Sequence, residues 1–242
     1  MVLRPLFHAL LDLIYPSTCI VCGVSVSSEK PPVCSNCLDR LEVIKEPICH
    51  RCGYPQDILF SSLGACRHCP AEKIHFHTAR SILSYADTNV RVLIHGLKYH
   101  FLTRLADPLS EILLEGFKRD FGNAHFDAIA PVPLHKKRQR EREFNQSTLL
   151  GKRISQFANL PIYEDLVTRI RKTVPQTSLD PMQRQTNVVG AFAAARPERI
   201  ADLSFLVIDD VYTTGSTVNE VCATLKNNGA ARVDVLTLAR AV

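Results

Sequence analysis

The chain has 242 residues, 46% of them hydrophobic and 22% charged, with a formal net charge of +5. That composition excludes disorder as the main state, because there is enough apolar surface to build a core, and the length allows one or two domains. The unusual counts are nine cysteines and no tryptophan; eight of the nine cysteines fall within the first 69 residues, so the two ends differ in chemistry.

Residues 1–15 place Leu3, Leu6, Phe7, Leu10 and Ile14 on one helical face and His8 and Asp12 on another, which predicts a short amphipathic helix. Docking of this helix on the body is the main expectation and a membrane-surface anchor the alternative. His8 and Asp12 break the apolar run, and no small-x-small cleavage site precedes Cys19, which argues against a signal peptide. No other stretch approaches the ~18 apolar residues of a membrane span. The expected location is the cytoplasm, with the inner membrane surface as the alternative.

Residues 16–75 hold four CxxC pairs: Cys19/Cys22, Cys34/Cys37, Cys49/Cys52 and Cys66/Cys69, separated by 11, 11 and 13 residues. A CxxC turn presents two thiolates at the bite of a tetrahedral zinc site, and two turns complete four ligands. Two structural zinc ions are therefore expected in a double zinc ribbon. Disulfides and an iron–sulfur cluster are the weaker readings, because no export signal is present and regular CxxC tandems favour zinc. Sequential pairing of the turns is the default, and a cross-brace is the alternative. His50 and His68 lie inside the turns but are not needed as ligands. Cys222 stands apart in a helical pattern and reads as a small buried hydrophobe.

Residues 76–242 alternate between strand and helix patterns, which predicts an α/β domain with a mostly parallel sheet. The expected strands are 79–85, 126–132, 203–209 and 232–240. The expected helices are 88–119 (two helices broken at Pro108), 144–159 and 215–228, with a loop or hairpin hood over 176–192. The whole net charge of +5 belongs to this half, and residues 135–184 alone hold 11 basic and five acidic side chains. Lys136, Lys137, Arg138, Arg140 and Arg142 form its densest part. Three readings compete for them: a pyrophosphate grip, a nucleic-acid backbone contact, and a solvated basic face.

The most informative segment runs from Phe205 to Thr217. Four apolar residues are followed by Asp209 and Asp210, which are expected to end a buried strand, and then by the loop Thr213, Thr214, Gly215, Ser216, Thr217. Amides and hydroxyls at a helix N-terminus suit a phosphate, Gly215 permits close approach, and the carboxylates suit sugar hydroxyls or a magnesium ion held through water. The bland reading is an acidic helix cap.

This segment resembles the phosphoribosyl pyrophosphate (PRPP) signature of type I phosphoribosyltransferases, with Tyr212 where an aliphatic residue is usual. Residues 131–146 resemble the PVPLH…R…R-G-F-N-Q segment of the ComF family, Lys98-Tyr99 its KY element, and Arg184, Asn187, Gly190 and Phe192 its R..N..GAF element. With the two ribbons, the resemblance covers essentially the whole chain. One departure is Glu143, which stands where the family has glycine. The resemblance implies that Asp209, Asp210, Thr213, Thr214, Gly215, Ser216 and Thr217 bind PRPP together with Leu134, His135 and Arg138. Magnesium would accompany the ligand, Asp209 and Asp210 would be catalytic if the domain is active, and residues 173–187 would form a lid. It also implies a competence protein that handles incoming single-stranded DNA, contacted through Lys136, Lys137, Arg138, Arg140 and Arg142, with a competence helicase and recombination mediators as partners. No acceptor site is identifiable, so a true phosphoribosyltransferase and a PRPP-sensing regulator stand as alternatives.

Overall fold

The computed structural model describes residues 17–56, 66–69, 73–171 and 188–242. The expected N-terminal helix, the lid at 173–187, and Arg184 and Asn187 lie outside the described residues. Four strands, β1 (Ala79–Ser84), β2 (Ala128–Pro131), β5 (Ser204–Tyr212) and β6 (Arg232–Arg240), form one sheet in the order β1-β6-β5-β2. Every pairing in it is parallel. A separate antiparallel pair joins β3 (Val167–Arg169) to β4 (Phe192–Ala194), and most of the hood expected over 176–192 lies outside the described residues.

Strands buried on both faces read as continuous apolar runs, and alternate residues feed two cores. Ile129, Leu206, Ile208, Leu236 and Leu238 face helices α2 (Thr88–Tyr99), α3 (Ala106–Phe121) and α5 (Gln146–Ala158). Phe205, Val207, Val233 and Val235 face α6 (Ser216–Asn227) and the β3–β4 pair. Cys222 is fully buried in that second core, as a small hydrophobe. The short α1 (Ser35–Asp39) belongs to the first ribbon, whose Cys19, Val33, Cys37 and Leu41 pack into the first core.

The ribbons also join the sheet through their backbone. Residues 42–44 pair antiparallel with β1, with Ile44 N donating to Ile82 O and Ser84 N donating to Glu42 O, both at 2.8 Å. Ala79 N donates to Arg51 O at 2.8 Å.

Two expectations are corrected. The break between the two long helices lies at residues 100–102 rather than at Pro108. Phe101 takes a left-handed φ of 55°, whereas Pro108 sits in the first turn of α3, where its missing N–H costs nothing. Strand β5 continues through Asp209 and Asp210 to Tyr212, because partners described below satisfy the acids. Between the strand expected at 126–132 and the helix expected at 144–159 the chain forms a further helix, α4 (Lys136–Arg142).

Candidate functional site

Both carboxylates of β5 are buried: Asp209 is 8% and Asp210 4% exposed. Asp209 Oδ1 accepts from Ser147 Oγ at 3.0 Å and from Asp210 N at 2.9 Å. Asp210 Oδ1 accepts from Val211 N at 2.8 Å, and Lys98 Nζ lies 2.5 Å from Asp210 Oδ2. Lys98 comes from the last turn of α2, and Ser147 from the first turn of α5.

Charge in this pocket is crowded. Burial raises Asp209 to about 6, against the pull of Lys98, the Ser147 hydrogen bond and Arg169. Burial likewise lowers Lys98 to about 8; Asp209 opposes that change, while Arg142 and Arg138 reinforce it. Arg169 on β3 is lowered by burial and by Arg138, and drawn back up by Asp209. Four cations, Lys98, Arg138, Arg142 and Arg169, thus share a field with two carboxylates. The surplus is positive and suits a polyanion.

The phosphate loop follows directly. Gly215 takes φ 79° as the N-cap of α6, and its amide neighbours open the helix N-terminus. A Cβ at Gly215 would stand 2.2 Å from the hydroxyl oxygen of Tyr212, so only glycine fits there. Thr214 Oγ1 and Ser216 Oγ are 2.7 Å apart across the loop. Thr213 and Thr217 are half-buried beside them.

The segment after β2 reaches the same pocket. Leu134 and His135 are half-buried, and His135 bridges to Arg169 through the backbone. Along α4 the basic residues divide: Arg138 is half-buried by the acids, and Arg140 is exposed. Arg142 is 7% exposed, with its guanidinium carbon 5.2 Å from the ring centre of Tyr99 and Nη1 donating to Gln146 at 3.1 Å. The side chains of Lys136 and Lys137 lie outside the described residues. Glu143 has φ 62°, the left-handed backbone that explains a family preference for glycine at this position. Asn145 then anchors the chain, donating to Val132 O and accepting from Ser147 N, both at 3.0 Å.

Lys98, Ser147 and Arg169 escaped selection as site residues from the sequence. The KY element contained a signal for Lys98; nothing in the sequence marked Ser147 or Arg169, which come from distant segments. For magnesium, three of the four carboxylate oxygens already face donors. The pair therefore fits an ion brought in by a polyphosphate and held through water better than one ligated directly.

The cysteines form two sequential tetrads, Cys19/Cys22/Cys34/Cys37 and Cys49/Cys52/Cys66/Cys69. Cys22 and Cys34 sulfurs are 3.8 Å apart, Cys49 and Cys69 3.9 Å, and Cys52 and Cys66 3.7 Å. Those distances match the edge of a tetrahedron with Zn–S bonds of about 2.3 Å, about 3.8 Å. Two structural zinc ions fit. Gly23 and Gly53 take φ 75° and 71° just after their turns. His68 joins neither tetrad and stacks on Tyr54 at 3.5 Å. No helix of the described residues is long and apolar enough to cross a membrane.

Comparison with known proteins agrees with this two-part arrangement. A family model for the double zinc ribbon domain matches residues 10–70, and one for the phosphoribosyl transferase domain matches residues 149–241. DNA utilization protein YhgH of Escherichia coli K12 is 32% identical, over 94% of this chain and 99% of that protein. Competence protein F of Haemophilus influenzae is 28% identical, over 92% and 96%. Competence protein ComFC of Bacillus subtilis is 25% identical, over 94% and 96%.

Proposed function

The chain belongs to the ComF family, and from that premise we propose that it binds PRPP at the Gly215 loop and handles single-stranded DNA entering the cell. One observation carries the reading: Lys98 and Arg169 face a buried Asp209–Asp210 pair, with Arg138 and Arg142 in the same field, beside a helix N-terminus opened by a left-handed glycine. The helix N-terminus and loop hydroxyls take the 5′-phosphate, the acids accept from the ribose hydroxyls, and Arg138, Arg169 and Lys98 face the pyrophosphate. A magnesium ion carried by the ligand would offset part of its charge, with Asp209 and Asp210 reaching it through water. The relatives' names supply the DNA half of the reading, with a competence helicase and recombination mediators as the protein partners it implies.

Fluorescence anisotropy of a labelled oligonucleotide in low salt, with and without PRPP, tests both halves. Saturable binding that weakens steeply with salt is expected. No binding at low salt overturns the DNA half, and PRPP that neither binds nor stabilises the protein overturns the other.

A second reading has one observation in its favour. Asp209, buried and raised to about 6, sits in the range of a working acid–base group. A transferase releases pyrophosphate from PRPP when an acceptor is present, and Asp210→Asn abolishes that release. PRPP bound but never consumed across a panel of nucleobases excludes it. DNA affinity that changes on adding PRPP identifies a sensor.

A further inference from the structure

Helix α2 buries Val90, Leu93, Ile94 and Leu97 against the core, and its sequence, TNVRVLIHGLKY, contains no acidic residue. Its opposite face carries Arg91, His95 and Tyr99 at i, i+4 and i+8, one exposed stripe on a helical surface. The stripe is ordered. Tyr85 Oη and His95 Nε2 lie 3.1 Å apart, and the rings of His95 and Tyr99 meet edge-on, 5.3 Å apart at 88°. Arg142 lies over Tyr99, yet the ring stays 49% exposed. Two residues on, Phe101 is 52% exposed, held outward where the chain takes its left-handed turn. Exposed Arg140 stands on α4, whose one acid, Glu141, is outnumbered by its basic residues.

Scattered exposed rings need no explanation. Tyr99, however, lies against the Arg142 guanidinium, and Arg91 stands two turns back on the same helical face. Lys98 points inward to Asp210 while its neighbour Tyr99 faces outward, so the stripe ends at the mouth of the acid pocket. Exposed aromatic faces among guanidinium groups suit unpaired bases on a phosphate backbone. Duplex DNA hides the base faces that such rings need.

We propose that the outer face of α2 is a base-stacking platform, with Tyr99 and Phe101 as the ring surfaces and Arg91 and Arg140 as phosphate contacts. It carries single-stranded DNA across the mouth of the Asp209–Asp210 pocket. The proposal rests on the reading that the chain binds single-stranded DNA, and it adds where and by which chemistry. A strand on this platform presents its bases next to the pocket, where the sequence offers no other acceptor site.

The test measures anisotropy of the full chain with a labelled oligothymidylate about 15 nucleotides long, an abasic strand of the same length, and a duplex. Tyr99→Ala and Phe101→Ala are each expected to weaken oligothymidylate binding roughly five- to a hundredfold and to leave abasic binding unchanged. Tyr99→Trp, which keeps a stacking face, restores wild-type affinity. Arg91→Ala weakens both single strands and flattens the salt dependence. Both rings are half-exposed, so unchanged melting temperatures separate lost stacking from lost folding. If Tyr99→Ala and Phe101→Ala bind oligothymidylate as the wild type does, or if the wild type prefers duplex, the platform is overturned and the DNA reading stands. A wild type that binds no strand at all overturns both.

Discussion

Arg240 lies over Tyr212, its guanidinium carbon 4.1 Å from the ring centre, and donates through Nη1 to the carbonyl of Cys52 at 2.6 Å. Tyr54 closes the other side at 5.1 Å, and the arginine is 1% exposed. One side chain therefore touches a ligand of the second tetrad and the tyrosine that packs under Gly215. Arg240→Ala leaves a buried carbonyl unpaired and opens a cavity between the two tyrosines. A loss of about 3 kcal/mol in unfolding free energy is expected from denaturant titration, with Arg240→Lys losing less. A wild-type midpoint for the alanine variant excludes this linkage.

Metal analysis of protein purified without chelator is expected to return about two zinc ions per chain, as two four-cysteine sites require. Cys49→Ser lowers that to about one. Because the tetrads supply folding energy to segments with little core of their own, chelation lowers the melting temperature of the wild type.

Lys98 predicts a pH dependence. It loses its proton at about 8, so binding of a phosphorylated ligand weakens as pH rises through 8, and Lys98→Met removes the change. Stability moves the other way. The unfolded chain keeps this proton up to about 10.5, so unfolding takes up a proton between pH 8 and 10.5 and stability rises with pH there. Asp209 acts in the lower window. The native carboxyl holds its proton to about 6 and the unfolded one to about 3.8, so stability falls as pH rises from 3.8 to 6. Asp209→Asn flattens that limb in denaturant titrations taken across the range.

Glu143 holds a left-handed φ of 62° with an exposed side chain, a conformation that costs a non-glycine residue about 1 kcal/mol. Glu143→Gly is expected to raise stability by up to about 0.5 kcal/mol once the added freedom of the unfolded chain is subtracted. A lower melting temperature for that variant contradicts the strain.

Gly215→Ala forces a methyl to within 2.2 Å of the Tyr212 hydroxyl at a φ of 79°. Strain and overpacking together cost about 2–4 kcal/mol. Phosphate or PRPP stabilisation in a thermal melt is lost as well, because the loop shifts off its helix N-terminus.

The sheet strands and the phosphate loop were legible because their signals are local: an apolar run, an acid pair, then small hydroxyl residues. The cysteine tetrads were legible because each half-site is a four-residue turn. The break at Phe101 was not, since Pro108 carries the stronger local signal and the turn instead depends on a strained residue that tertiary packing holds. Arg142 read as one of five equivalent basic residues. Only the fold shows that it is sequestered between Tyr99 and Gln146 while Arg140 stays in solvent. Arg169 and Ser147 reach Asp209 from segments 40 and 62 residues away in sequence, and no periodicity records such a meeting.

The pairing of residues 42–44 with β1 closes an edge of the parallel sheet that would otherwise present free amides and carbonyls. At the opposite edge, Ile129 N donates to Pro161 O and Tyr163 N to Ile129 O, so β2 is closed by the chain's own α/β part. Only the β1 edge is guarded by a module that needs a metal to hold its shape. A chain made under zinc starvation exposes that edge and its adjoining apolar residues to other chains, and an unguarded edge is a template for aggregation.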